Sequence, residues 1–187
     1  MKYTSCFIGI PLPTEFLKKY REVAAEISKI LPGIKLAELD SPHITIYYLD
    51  EQSQNNLANI KTKTTKHLNS LKGSKITVGN MGLFSNPERI VLYLDVQYDN
   101  SLIIFHNEIT KELVNYNAYD NSLGFTPHMT IGKICKDNEV TFSNNKESIN
   151  RIIDGVDWTF EVNEIIIYGV DSRIQPESRE ILSILKV

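Results

Sequence analysis

The sequence predicts an α+β fold built on antiparallel strand pairs. Three observations carry that expectation. Strand-like and helix-like segments interleave along the chain. The strand-like segment Arg89 to Gln97 follows its predecessor through a short turn around Ser85-Asn86-Pro87, a connection that antiparallel neighbours use and parallel ones cannot. No stretch is rich enough in Pro, Gly or Ser to separate independent domains, so the 187 residues are expected to form one unit spanning residues 1–187.

Each element has its own signal. Tyr3 to Ile10 is rich in β-formers and stops at Pro11. From Thr14 to Leu31 apolar residues recur at helical spacing (Phe16, Leu17, Tyr20, Val23, Ala24, Ile27, Ile30, Leu31), and Pro32-Gly33 ends the run. His43 to Leu49 reads as a short strand. Gln52 to Leu71 carries a helical stripe through Leu57, Ile60, Thr64 and Leu68. Lys75 to Asn80 and Arg89 to Gln97 are strands. Ser101 to Tyr116 is a helix with Leu102, Phe105, Ile109 and Leu113 on one face. Asn117 to Thr126 is a polar loop, His128 to Ile134 a strand and Lys146 to Ile153 a short helix. Val156 to Val170 reads as one long strand and Glu180 to Val187 as the last.

Composition narrows the function classes. Twenty-three acids against 20 bases leave a net charge of -3, which disfavours a long nucleic-acid footprint and leaves room for a local phosphate pocket. The two cysteines, Cys6 and Cys135, build neither a disulfide framework nor a zinc cluster, and they suit a reducing compartment. The N-terminal apolar run breaks at Pro11 and Pro13, unlike a signal peptide, and no run reaches the length of a membrane helix. A cytoplasmic monomer is expected.

One repeat carries chemistry. Residues 41–46 read SPHITI and residues 126–131 read TPHMTI. Side chains alternate along a strand, so His43 and Thr45 share a face, as do His128 and Thr130, with apolar anchors behind. Pro ahead of each His suits the first position of a strand. Two imidazoles on one cleft suit acid–base chemistry near neutral pH, and two threonine hydroxyls suit the non-bridging oxygens of a phosphate. This set can move a phosphodiester through its transition state with no metal and no cofactor, and no acidic residue sits in a ligand pattern beside either His.

These motifs resemble those of the 2H phosphoesterase superfamily, in its RNA 2′,3′-cyclic phosphodiesterase and 2′-5′ RNA ligase-like branch. His43-Ile44-Thr45-Ile46 and His128-Met129-Thr130-Ile131 match its paired His-Φ-Thr-Φ motifs. CFIGIPLP, the segment Gly82 to Val96 and the closing IIIYGVDSRIQPESREIL resemble its first strand, its stretch between motifs and its final hairpin. The resemblance implies two pseudo-symmetric lobes of antiparallel sheet with outer helices around a central cleft. It implies His43, Thr45, His128 and Thr130 as the catalytic set. It also implies Lys133 at a basic phosphate-binding position and Phe7 near a nucleobase. Strict alternation puts Tyr47 on the face of His43, where it is a candidate to line the cleft although a packed strand tyrosine is the more ordinary reading, and turns Lys133 away from the face of His128.

The implied partner is a nucleotide or RNA end with a 2′,3′-cyclic phosphate or a 2′-5′ linkage, hydrolysed to a 2′-phosphate in the cyclic case. A module that binds such an end without turnover is the competing reading. A histidine metal site lacks an evident third ligand. His67 and His106 read as packing or surface residues of their helices, Tyr168 as a packed strand residue, Arg89 and Arg173 as surface charges, and Lys61 to Lys75 as a solvated basic face. Substrate selection is expected from Glu38 to Pro42, Gly82 to Glu88 and Asn117 to Pro127.

Overall fold

The computed structural model describes residues 2–116, 124–171, 173 and 178–187, with the side chains of Lys2 and Ser178 excepted. In chain order the strands and helices are β1 (Lys2–Tyr3), β2 (Ser5–Pro11), α1 (Thr14–Ile30), β3 (Ile34–Leu36), β4 (His43–Leu49), β5 (Gln52–Ser53) and α2 (Gln54–His67). There follow β6 (Lys75–Ser85), β7 (Arg89–Tyr98), α3 (Asn100–Leu113), β8 (His128–Cys135), α4 (Glu139–Ile153), β9 (Asp157–Glu161), β10 (Glu164–Asp171) and β11 (Ser178–Lys186). Residues 117–123, most of the expected polar loop, lie outside the described residues.

The fold is the expected antiparallel α+β arrangement with outer helices. One sheet runs β11-β10-β2-β4-β8-β7-β6-β9, with β3 pairing β8 beside this path. Its two halves have mirrored order: β11-β10-β2-β4 on one side, β8-β7-β6-β9 on the other. They join where β4 meets β8 through a single residue pair, Ile44 opposite Met129. Helices α1 to α4 bury one face of this sheet. Tyr20, Ala24 and Ile27 of α1, Ile60 of α2, Leu102, Phe105 and Ile109 of α3 and Phe142, Ile149 and Ile153 of α4 lie buried against strand residues from both halves. At roughly 2 kcal/mol per buried large side chain, this stripe-to-sheet packing is what holds helices of modest intrinsic propensity in place. Capping adds to it: the Asp99 carboxylate accepts from the Ser101 and Leu102 amides at the start of α3.

The structure departs from the linear reading in four elements. The Val156 to Val170 run is two strands, broken at Val162-Asn163: β9 pairs β6 in one half and β10 pairs β2 and β11 in the other. β6 continues past Asn80 to Ser85 because Asn80 adopts a positive φ of 56° and opens a bulge between Gly79 and Met81. Gly82 to Ser85 is therefore strand rather than loop. α4 begins at Glu139, seven residues before Lys146. β3 exists only through its pairing with β8.

Two further bulges position the site. Ile8 pairs Tyr47 and Gly9 pairs Thr45, so Ile46 is the extra residue on β4. Leu92 pairs Gly132 and Tyr93 pairs Thr130, so Ile131 is the extra residue on β8. Each bulge falls on the last residue of a motif, and each flips the side-chain parity of the residues beyond it. Among the described residues no helix is long and apolar enough to cross a membrane.

Candidate active site

The pairing of Ile44 with Met129 sets the geometry. Both side chains are fully buried on the helix-covered face. Antiparallel register then places His43 beside Thr130 and Thr45 beside His128 on the opposite face. The four residues are related by a local two-fold across the β4·β8 junction, and each imidazole has the other motif's hydroxyl as its cross-strand neighbour. All four are partly exposed. Neither threonine hydroxyl makes a hydrogen bond among the described residues.

The residues ahead of each motif orient the rings. His43 Nδ1 lies 3.0 Å from the Ser41 carbonyl oxygen, and His128 Nδ1 lies 2.9 Å from the Thr126 carbonyl oxygen. A carbonyl can only accept, so Nδ1 carries the proton in both rings and Nε2 is left for the reacting groups. The intervening prolines, Pro42 and Pro127, disfavour helical backbone at Ser41 and Thr126, and both carbonyls face the imidazoles. The repeated hydroxyl-Pro-His pattern is thus a tautomer-fixing device.

Each ring rests on two aromatics. His43 is 4.7 Å from Phe7 and 5.2 Å from Tyr168, centroid to centroid, and Phe7 and Tyr168 are 4.7 Å apart. His128 is 5.0 Å from Tyr93 and 4.9 Å from Phe84, and those two stack at 4.4 Å. The charged neighbours differ. Arg179 of β11 reaches His43, with Nη1 3.5 Å from Nδ1, and pairs with Glu38 at 2.9 Å. His128 has Asp95 as its cross-strand partner. Burial, and after it the Arg179 guanidinium, pushes the His43 imidazole down to about 4, against the opposing bond to Ser41. Burial lowers His128 from its ordinary value, and the Thr126 carbonyl and Asp95 oppose that shift.

The bulges redistribute the expected binding residues. Tyr47 does not line the cleft. The bulge at Ile46 turns it onto the helix-covered face opposite Ile8, where it is 3% exposed. Tyr48 takes the outward position instead, opposite Phe7 and 52% exposed. Lys133 shares the face of His128 and Thr130 after all. The bulge at Ile131 turns Ile134 into the core and leaves Lys133 exposed on the other side, between Lys35 and Val91. Tyr48 and Lys133 are therefore two-fold equivalents, each five residues after its histidine. Phe7 packs on His43. His67 pairs with Glu108, His106 stacks on Phe125, and Arg173 pairs with Asp171. Linear reading missed Tyr93, Phe84, Asp95 and Arg179. Only strand pairing reveals them, although Phe84, Tyr93 and Asp95 fall inside the Gly82 to Val96 segment. Among the described residues no cluster of three or more His, Cys, Asp or Glu could hold a metal ion.

The chain is similar to several known proteins. The family model for the 2′-5′ RNA ligase superfamily matches residues 15–172. An RNA 2′,3′-cyclic phosphodiesterase from Methanocaldococcus jannaschii is 27% identical over 166 residues, covering 87% of this chain and 88% of the relative. One from Archaeoglobus fulgidus is 23% identical over 133 residues, covering 71% and 73%. Among solved structures, E. coli LigT complexed with 3′-AMP superposes with a TM-score of 0.71 at 15% identity, covering 99% of this chain and 98% of that one. TT0787 of Thermus thermophilus superposes with a TM-score of 0.67 at 15% identity, covering 97% of each.

Proposed function

We infer a two-histidine phosphodiesterase from a plain premise: the chain belongs to the 2′-5′ RNA ligase superfamily, the 2H phosphoesterases. Its substrate is a nucleotide or RNA end whose phosphodiester involves a 2′ oxygen, and a 2′,3′-cyclic phosphate is the form that its relatives' names favour. The observation that carries the reading is the Ile44–Met129 pairing, which sets His43, Thr130, Thr45 and His128 around one spot on the open sheet face.

A phosphate centred there meets two Nε2 atoms and two hydroxyls. Thr45 and Thr130 donate to its non-bridging oxygens. One neutral imidazole accepts a proton from water as that water attacks phosphorus, and the other imidazole, protonated, gives its proton to the departing 3′ oxygen. The product is a 2′-phosphate. The bound anion raises the proton affinity of both rings, so the acid is charged when substrate is present even though burial keeps both imidazoles neutral in the empty site at pH 7. Lys133 adds positive charge on the same face, and the exposed Tyr48, 6.1 Å from Phe7, offers a stacking surface for a base, while Phe7 is buried behind His43.

The test is hydrolysis of an RNA oligonucleotide ending in a 2′,3′-cyclic phosphate, with the product mapped by 2′- and 3′-specific phosphatase sensitivity. A 2′-phosphate product is expected. Tight binding with no product, from cyclic ends and 2′-5′ linkages alike, would replace this reading with that of a binding module.

A further inference from the structure

The two motifs are nearly interchangeable by geometry, and the difference between them lies in what stands behind each ring. We propose that Arg179 of β11 is a positioning residue that fixes His43 as the proton acceptor, leaving His128 as the proton donor. The proposal rests on the phosphodiesterase reading and deepens it by dividing the roles.

Arg179 is 136 residues from His43 in the chain and is brought to it by the pairing of β11 with β10 and of β10 with β2. Its guanidinium lies 5.5 Å over the Phe7 ring and 6.0 Å over the Tyr168 ring, the two aromatics that also hold His43. Nη1 is shared between the Glu38 carboxylate, at 2.9 Å, and the neighbourhood of His43 Nδ1, at 3.5 Å. Nδ1 already gives its proton to the Ser41 carbonyl, so the guanidinium is not there as its hydrogen-bond donor. Its effect on the ring is the field of a fixed cation, which opposes imidazolium formation. Nε of Arg179 is buried with no hydrogen-bond partner among the described residues. A buried unpaired donor is costly to stability, and such cost is commonly retained where it serves a site.

The other groups facing His43 leave Arg179 as its nearest charge. Phe7 and Pro11 face it from β2 and Tyr168 from β10. Thr130 and His128 lie across from it on β8. Glu38 is engaged by Arg179, and Asp40 is engaged by Arg21 at 2.7 Å. At the two-fold equivalent ring the sign is reversed: Asp95 stands opposite His128 and favours its charged form. Burial and Arg179 keep His43 unprotonated, and Asp95 offsets part of the burial that lowers His128.

The experiment follows both imidazoles by NMR across pH in the labelled full chain, for wild type, Arg179→Met, Arg179→Lys and Glu38→Gln. In Arg179→Met the His43 midpoint rises by roughly one pH unit and the His128 midpoint stays in place. Arg179→Lys keeps the cation and keeps the low midpoint. Glu38→Gln removes the opposing carboxylate and does not raise it. In kinetics on a 2′,3′-cyclic phosphate end, the acid limb of kcat/KM moves up with His43. For a one-unit shift, Arg179→Met falls to roughly one third of wild type at pH 4.5 and matches it at pH 7.5. Three results would overturn the proposal: an unmoved His43 midpoint in Arg179→Met, a rise in Glu38→Gln, or a loss of kcat/KM equal at every pH. If no substrate is turned over, the phosphodiesterase reading fails by itself, and the NMR titration still decides whether Arg179 controls His43.

Discussion

Replacing His43 with Phe keeps a ring against Phe7 and Tyr168 and removes the titration. In the folded protein His43 takes a proton only near pH 4, against its ordinary value of 6.5. Below pH 6.5 the unfolded chain therefore binds this proton while the folded chain does not, and acid favours unfolding. The contribution is absent above about pH 7, grows as pH falls, and is complete once pH passes below the folded value, where it reaches about 3 kcal/mol. By pH 5 about 2 kcal/mol of it is expressed. Urea denaturation followed by Trp158 fluorescence at pH 7 and pH 5, at one ionic strength, gives the stability change for each protein. His128 and His106 are also lowered and titrate in both, so the difference isolates His43. Wild type is expected to lose about 2 kcal/mol more than His43→Phe between pH 7 and pH 5. Equal losses would refute the claim that the fold holds His43 neutral.

Gly82 carries the Tyr93 ring: a Cβ there would stand 2.0 Å from Tyr93 Cε2, and that ring packs on Phe84 and His128. Gly82→Ala is expected to destabilise the fold by about 1–3 kcal/mol and to shift the His128 ring resonances, read by denaturation and by NMR. Lys133→Ala should raise KM for a cyclic phosphate end several-fold with a smaller change in kcat, and Lys133→Arg should restore it; steady-state kinetics at two salt concentrations decides this. The Asp99 carboxylate accepts from Ser74 Oγ at 2.9 Å, from the Lys75 amide and from the first amides of α3, bonds that hold it below its ordinary value although burial opposes them. Asp99→Ala should cost about 1–2 kcal/mol at pH 7 by urea denaturation, and little of that loss should remain in acid, where wild type loses the same bonds.

The candidate constellation was legible because it is local. Two His-x-Thr pairs with Pro ahead need only the two-residue period of a strand to share a face, and Ile44 and Met129 face the core as alternation requires. Beyond Thr45 and Thr130, alternation failed for one physical reason. A bulge is a property of two strands in register, and nothing in ITIYY or MTIGK shows that β2 and β7 will each pass over one residue there. The first bulge reversed Tyr47 with Tyr48, and the second brought Lys133 onto the site face. The 156–170 run illustrates the same limit. Its apolar pattern is continuous, yet the chain leaves β6 and crosses to β2 at Val162-Asn163. Arg179 and Asp95 were beyond linear reading because their meaning comes from the ring that each one faces.

The central claim is that one phosphodiester is worked on by both imidazoles together. The most direct measurement is single-turnover hydrolysis of an RNA end bearing a 2′,3′-cyclic phosphate, from pH 4 to 9 with EDTA present, for wild type, His43→Ala, His128→Ala and the double variant. A 2′-phosphate product and a bell-shaped wild-type profile are predicted. Each single variant is predicted to lose at least ~100-fold, and the double variant to be little worse than either single one, because the two groups act as a unit. Near wild-type turnover in either single variant, or a product carrying the phosphate on the 3′ oxygen, would contradict it.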